Sequence, residues 1–92
     1  MVYTVRFTQT VAGMVSNLHP DIKKQLRVAI KEISAEPYCG KELQEELFDF
    51  LSYRIKRYRI IYKVDETEKL ITVYMVGHRR DVYDLFSALV EG

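Results

Sequence analysis

Three runs of β-forming residues follow one another between Ser52 and Val76, separated only by short turns. Tyr53-Arg54-Ile55 leads into a tight turn at Lys56-Arg57, and Tyr58-Arg59-Ile60-Ile61-Tyr62-Lys63-Val64 follows. A polar turn over residues 65–69 precedes Leu70-Ile71-Thr72-Val73-Tyr74-Met75-Val76, and Gly77 closes that run. Val, Ile and Tyr suit a pleated, half-buried surface, and polar residues with Gly suit the breaks between. Three strands in direct succession favour an antiparallel meander. A meander with an apolar face must be covered, and this constrains the rest of the chain.

The cover is predicted in the N-terminal half. Tyr3-Thr4-Val5-Arg6-Phe7 alternates apolar and polar, as a strand with one buried face does, and should join the sheet at its edge or centre. Thr8 is placed to cap a short helix carrying Val11, Met14, Val15 and Leu18, which ends between Asn17 and Pro20. Pro20 opens a second helix with Asp21 in its first turn and Ile22, Leu26, Ala29, Ile30 and Ile33 on one face. Lys24, Arg27 and Lys31 occupy another face, an ordinary place for solvated charge. Glu36-Pro37 ends the helix, because the residue before proline avoids the α region. The two helices predict an antiparallel hairpin. Residues 38–50 read as a loop with one irregular turn. Val82, Leu85, Phe86 and Leu89 predict a short C-terminal helix with Asp81 as its N-cap. The expected class is α+β, in the order β-α-α-β-β-β-α. An antiparallel sheet packs on an N-terminal helical hairpin, within one domain spanning residues 1–92.

Charge is distributed unevenly, although the net value is only +1. Residues 53–63 hold five basic side chains (Arg54, Lys56, Arg57, Arg59, Lys63) and no acid, whereas Lys41 to Asp49 carries Glu42, Glu45, Glu46 and Asp49. A local basic excess can hold an anion even on a nearly neutral protein. No apolar run reaches the roughly 18 residues of a membrane helix. Without a basic-then-apolar leader at the N-terminus, a cytoplasmic location is expected. The single cysteine, Cys39, sits in a turn, and no neighbouring base marks it as a nucleophile. His19 and His78 are far apart, and neither metal-ligand spacing nor a glycine-rich phosphate loop is present, so no metal and no cofactor is expected.

Two strings carry a family resemblance. Tyr53-Arg54-Ile55-Lys56-Arg57-Tyr58-Arg59-Ile60-Ile61-Tyr62 is similar to the basic hairpin of the RelE/ParE superfamily, and Val76-Gly77-His78-Arg79-Arg80-Asp81-Val82-Tyr83 resembles its closing motif. Gly40-Lys41-Glu42-Leu43 resembles the loop after that family's helices. The element order agrees over nearly the whole chain. The resemblance implies a toxin held in check by a cognate antitoxin protein whose flexible segment wraps it. RelE-type members cut mRNA on the ribosome, and the tyrosine after the arginines lies on that side of the family. ParE-type members inhibit DNA gyrase. A catalytically inactive member that binds its antitoxin and helps repress its operon is a third class.

For an RNA-cleaving member the resemblance implies a set of catalytic residues, namely Arg59, Arg79, Arg80, His78 and Tyr83. Arg54, Lys56 and Arg57 are the implied phosphate contacts. In metal-free cleavage the substrate's 2′-hydroxyl attacks the neighbouring phosphate, and fixed cations stabilise the charge that develops. Arginine stays charged and forks onto phosphate oxygens, and an aromatic ring can stack on a splayed base. Each residue also has a structural alternative. Arg59 fits an ion pair across the sheet. Arg79 and Arg80 fit a solvated pair, His78 a strand-end cap, and Tyr83 packing in the last helix. Tyr58, Tyr62 and Tyr74 could form a stacking platform, though Tyr58 and Tyr62 share a strand face whose expected home is the core.

Overall fold

The computed structural model describes residues 2–43, 49–82 and 84. Strand β1 spans Thr4–Phe7, helix α1 Gln9–Ser16 and helix α2 Pro20–Ala35. A single 3-10 turn, Pro37–Cys39, leads to the two-residue strand β2, Lys41–Glu42. The meander follows as β3 (Phe50–Ile55), β4 (Tyr58–Asp65) and β5 (Leu70–His78). The sheet order is β1-β5-β4-β3-β2.

Local chemistry sets the helix ends. Thr8 Oγ1 accepts from the Val11 N–H at 3.2 Å, satisfying one of the free donors of α1. Pro20 opens α2, and the exposed His19 side chain caps it by accepting from the Asp21 N–H at 3.1 Å. Pro37 stops it two residues beyond Ala35. The helices pack against strands rather than chiefly against each other: α1 lies along β5 and β1, and α2 along β3, β1 and the 3-10 turn.

The antiparallel meander is as expected, and β1 takes an edge. It runs parallel to β5, with Thr4 opposite Leu70 and Phe7 opposite Val73. Two helices lie between β1 and the meander, which gives the chain room to return in the same direction. Three sequence expectations change. Residues 38–50 are not all loop, because Lys41–Glu42 pairs with Ser52–Leu51 and β3 begins at Phe50. Gly77 does not close β5, which continues to His78. The C-terminal helix is described only at Val82 and Asp84, which are helical; Tyr83 and residues 85–92 lie outside the described residues.

The main core lies between sheet and helices. Val11, Leu26, Ala29 and Ile33 meet Leu51, Ile55, Ile60, Tyr62, Ile71, Val73 and Val76. Each fully buried aliphatic side chain stabilises the fold by about 1.5–3 kcal/mol relative to exposure. A smaller cluster of Ile61, Met75 and Val82 occupies the other sheet face, with Phe50 and Tyr74 against it. A β-bulge separates the two ends of the β4–β5 ladder. Ile61 pairs with Met75, but Tyr62 pairs with Val73, so Tyr74 is the extra residue on β5. The bulge puts both Ile71/Val73 and Val76 on the helix side, which strict alternation from Val73 to Val76 would prevent.

Two polar clasps tie the connections down. The buried Tyr62 hydroxyl donates to the Pro37 carbonyl at 2.7 Å and accepts from the Gly40 N–H at 3.2 Å. The Glu66 carboxylate accepts from the hydroxyls of Tyr3 (2.8 Å) and Tyr38 (2.6 Å) and from Lys69 Nζ (3.0 Å). This gathers the N-terminus, the 3-10 turn and the β4–β5 turn on one charge. The Tyr53 hydroxyl donates to Glu32, joining β3 to α2, and that bond pushes the phenol up to about 12.

Gly40 has no room for a side chain: a Cβ there would lie 2.5 Å from the Tyr62 hydroxyl and 2.9 Å from the Ser52 carbonyl oxygen. Gly40→Ala should therefore cost about 1–3 kcal/mol, as overpacking does, read as a lower midpoint in denaturant unfolding. A midpoint unchanged from the parent would refute the clasp. Glu66 is held down to about 2, first by the Tyr38 hydrogen bond, then by Lys69 and Tyr3. A carboxyl depressed on folding stabilises above its ordinary range and loses that contribution as pH falls toward its folded value. The melting temperatures of the parent and Glu66→Gln should differ at pH 7 and converge as pH falls from about 4.5 to about 2. A gap independent of pH would count against the clasp.

Candidate anion site at the basic hairpin

The basic hairpin places its side chains by strand parity. In the β3–β4 ladder Leu51, Tyr53 and Ile55 join the helix-side core, so Ser52 and Arg54 face the other way. In β4, Tyr58, Ile60, Tyr62 and Val64 face the helices, leaving Arg59, Ile61 and Lys63 on the opposite face. Tyr58 and Tyr62 thus belong to the core, not to a stacking platform, and Tyr74 lies on the other face.

Arg54 and Arg59 are direct cross-strand partners. Side chains so paired have Cβ atoms about 4.5–5.5 Å apart, and like charges there destabilise a sheet by an amount on the order of 0.2–1 kcal/mol. Neither arginine has an ion pair among the described residues, which supply no acid across the sheet for Arg59. Its Nε is buried and has no hydrogen-bond partner among the described residues. Arg59 also pairs with Gly77 on its β5 side. The strand positions around it on this face are Ser52, Arg54, Ile61, Met75 and Gly77, with no carboxylate or imidazole among them.

The turn brings in the second arginine group. Lys56 adopts a left-handed conformation (φ 49°), a geometry that favours glycine, and so closes a two-residue turn. Arg54 Nε donates to the Lys56 carbonyl at 3.1 Å, folding this side chain toward the turn. The Arg79 N–H donates to the Arg57 carbonyl at 2.7 Å. This bond fixes the chain leaving β5 against the hairpin tip and brings Arg57 and Arg79 together. Lys56, Arg57, Arg79 and Arg80 are exposed.

His78 stands apart. It pairs with Tyr58, on the helix side of the sheet, while Arg59 is one residue on and faces away. Its ring meets Tyr58 edge-on at 5.9 Å, and its Nδ1 accepts from the Arg80 N–H at 3.3 Å. The imidazole thus holds the turn that carries Arg80. Tyr83 lies outside the described residues. Burial pushes the Cys39 thiol up, against the direction a nucleophile needs. Sequence reasoning missed the contribution of Gly77 to this face. The signal was its place opposite Arg59, which requires the register.

On the helix side lies a separate apolar groove. Phe7, Val15, Leu26 and Ile30 line it, with Arg27 and Lys31 of the predicted basic face at its rim. No described helix is long and apolar enough to cross a membrane.

The profile of the ParE toxin of the type II toxin–antitoxin system parDE matches residues 2–83. Toxin RelG of Mycobacterium tuberculosis is 36% identical over 85 residues, covering 90% of this chain and 98% of that protein. The crystal structure of the M. tuberculosis toxin–antitoxin complex RelBE2 aligns with a TM-score of 0.78 at 34% identity, over 86% of this chain and 100% of that one. A double mutant of the E. coli toxin RelE in the free state shares the fold, with a TM-score of 0.82 at 19% identity over 99% of this chain and 97% of that one. With a match over residues 2–83 and relatives of this similarity, the chain belongs to the RelE/ParE superfamily and is a toxin of a type II toxin–antitoxin system.

Proposed function

We propose that this toxin is an endoribonuclease that cuts mRNA on the ribosome and so inhibits translation. The observation that carries this reading is the arginine pair Arg54/Arg59, directly opposed on adjacent strands with no acid paired to either among the described residues. An anion between its members would turn the repulsion of such a pair into attraction. A phosphodiester flanked by the Arg57/Arg79 turn has cations on two sides. In the reaction the 2′-oxygen bonds to the adjacent phosphorus while the bond from phosphorus to the 5′-oxygen breaks. The 2′-proton passes to a base, the leaving 5′-oxygen takes a proton, and the products are a 2′,3′-cyclic phosphate and a 5′-hydroxyl. Arg59, Arg79 and Arg80 stabilise the added negative charge on phosphorus, the largest single contribution in most such reactions. Tyr83 stacks on a base, and Arg54, Lys56 and Arg57 hold phosphates. His78 is assigned to positioning Arg80.

The partner is a cognate antitoxin. The groove between α1 and α2, apolar in its floor and basic at its rim, suits an acidic amphipathic segment. A second reading, gyrase inhibition without RNA chemistry, is favoured by the match to the ParE profile.

Antitoxin-free protein incubated with ribosomes stalled on a defined message decides between them. Cleavage within the ribosome-bound codon is expected. Arg59→Ala should lower the rate by about 10²–10³-fold, as loss of one preorganised donor does, and Arg79→Ala/Arg80→Ala should abolish it. An intact message together with inhibited supercoiling would establish the second reading.

Arg54→Glu replaces a like-charged cross-strand pair by an opposite one. It should stabilise the fold by a few tenths to about 1 kcal/mol while weakening RNA binding. The slope of log K against log salt should become shallower by about 0.7 for each phosphate that the variant no longer neutralises. A variant that loses stability and keeps RNA affinity would remove the arginine pair from the site.

A further inference from the structure

His78 ends β5 and opens the turn that carries Arg79 and Arg80. Its carbonyl accepts from the Asp81 N–H at 2.9 Å, so residues 78–81 form one β-turn with the two arginines at its central positions. The amides of Arg79, Arg80 and Asp81 are all engaged. The Arg79 N–H reaches the Arg57 carbonyl at 2.7 Å, and the Arg80 N–H reaches His78 Nδ1 at 3.3 Å. A side chain that accepts from the N–H two residues on is the usual device of Asn and Asp in turns. An imidazole takes that place here, and again at His19, whose Nδ1 accepts from the Asp21 N–H at 3.1 Å.

The choice of imidazole has a chemical consequence. A backbone N–H can only donate, so Nδ1 must offer its lone pair, and the ring must be neutral with its proton on Nε2. An asparagine oxygen accepts at every pH. An imidazole gives up its lone pair when it takes a second proton, and imidazoles do this within the physiological range. Protonated Nδ1 would meet the Arg80 N–H donor to donor, and would add a third positive charge beside Arg79 and Arg80. The groups around the ring are Tyr58 of β4, which meets it edge-on at 5.9 Å, Lys56 and Arg57 of the hairpin turn, and Asp81 of its own turn. Helix α1, which lies along β5, has no titratable side chain, and β1 pairs with β5 only over Leu70–Val73. No described carboxylate forms an ion pair with His78.

We propose that His78 is a proton-sensitive catch on the arginine turn. Neutral, it holds Arg79 and Arg80 in place for the reacting phosphate; protonated, it releases the turn and slows cleavage. This rests on the RNA-cleaving function proposed above and gives the positioning of Arg80 its chemical form. The imidazole exchanges no proton with the substrate: it acts through the turn, as a positioning residue.

The test uses the full chain freed of its antitoxin, with His78→Asn and His78→Phe, between about pH 8 and pH 5. Asn keeps an acceptor that does not titrate. Phe keeps a ring against Tyr58 and has no acceptor. Ribosome-programmed cleavage is measured first. Dividing the parent's rate by that of the Asn variant cancels the pH dependence of the 2′-hydroxyl chemistry. That ratio should fall about three- to tenfold as pH falls, the loss of one hydrogen bond. The Phe variant should be slowed to a similar degree at every pH, in kcat more than in KM, while unfolding close to the parent. Amide hydrogen exchange gives a readout free of RNA: the protection factor of the Arg80 N–H should drop with acid in the parent and hold in His78→Asn. A ratio independent of pH overturns the catch, as does a Phe variant that cleaves like the parent. If the parent cuts no RNA, the function proposed above has failed. Exchange then decides the catch alone, and protection at Arg80 that ignores pH in the parent overturns it.

Discussion

The β4–β5 ladder and its single irregularity govern both sides of this sheet. Successive residues in a strand face opposite ways, so a slip of one residue exchanges core and surface for everything beyond it. Here Tyr62 is paired with Val73 and Ile61 with Met75, leaving Tyr74 as the extra residue. Before the bulge Ile71 and Val73 enter the helix-side core; after it Val76 does. Without the extra residue Val76 would face outward, and Gly77 would turn toward the helices. The bulge therefore puts Gly77 beside Arg59 and turns His78 toward Tyr58. A local irregularity at mid-strand thus decides which groups share a face at the strand's end.

A sheet fixed in this way still needs its connections held, and a core this small leaves little stability in reserve. Two tyrosines and one carboxylate supply much of the holding. Tyr62 reaches through the core to both sides of the 3-10 turn, through the Pro37 carbonyl and the Gly40 N–H. Burial raises its phenol above the ordinary range, so the hydroxyl stays protonated and able to donate. Glu66 performs the corresponding task at the surface. Hydrogen bonding to it pushes the Tyr38 phenol up to about 12. Such exposed bonds contribute little singly. Their effect is to fix where β1 and the 3-10 turn lie relative to the meander, and with them the edge on which Phe7 flanks the apolar groove.

The parts of the fold written in local pattern were legible in the sequence. Thr8, Pro20 and Pro37 mark helix ends through their own backbone chemistry, and the structure places the ends there. The meander was legible because its turns are short and its strands rich in branched residues. Pairings that depend on distant partners were not. Thr4–Phe7 has too few residues to declare a direction, and the choice of a parallel edge depends on how two helices return the chain. Lys41–Glu42 becomes a strand only because β3 offers it an edge. The bulge was invisible for a different reason: Leu70 to Val76 is apolar on both faces, Thr72 excepted, so no alternation exists for a phase shift to interrupt. That blindness reached the candidate site. The basic run and the arginines after Gly77 could be read as one group, but assigning Arg59 and His78 to opposite faces needed the register.

The arginine pair shows how an almost neutral protein can carry a strongly basic site. Net charge averages over the whole surface, whereas an anion within about a Debye length responds to its neighbours. Across β3 and β4 those neighbours are Arg54 and Arg59, while acids nearby in the sequence are engaged elsewhere: Glu66 with Lys69, and Asp49 with Lys63 at 4.0 Å. Opposing two guanidinium groups on adjacent strands lowers the stability of the isolated sheet. Leaving Arg59 Nε buried without a partner among the described residues adds to that cost. Both penalties fall at one spot, on the strand next to Gly77. A fold that concentrates unfavourable choices in one place, while its caps, turns and core are mutually consistent, makes that place the candidate site. A negative charge placed between the two guanidinium groups would offset both penalties.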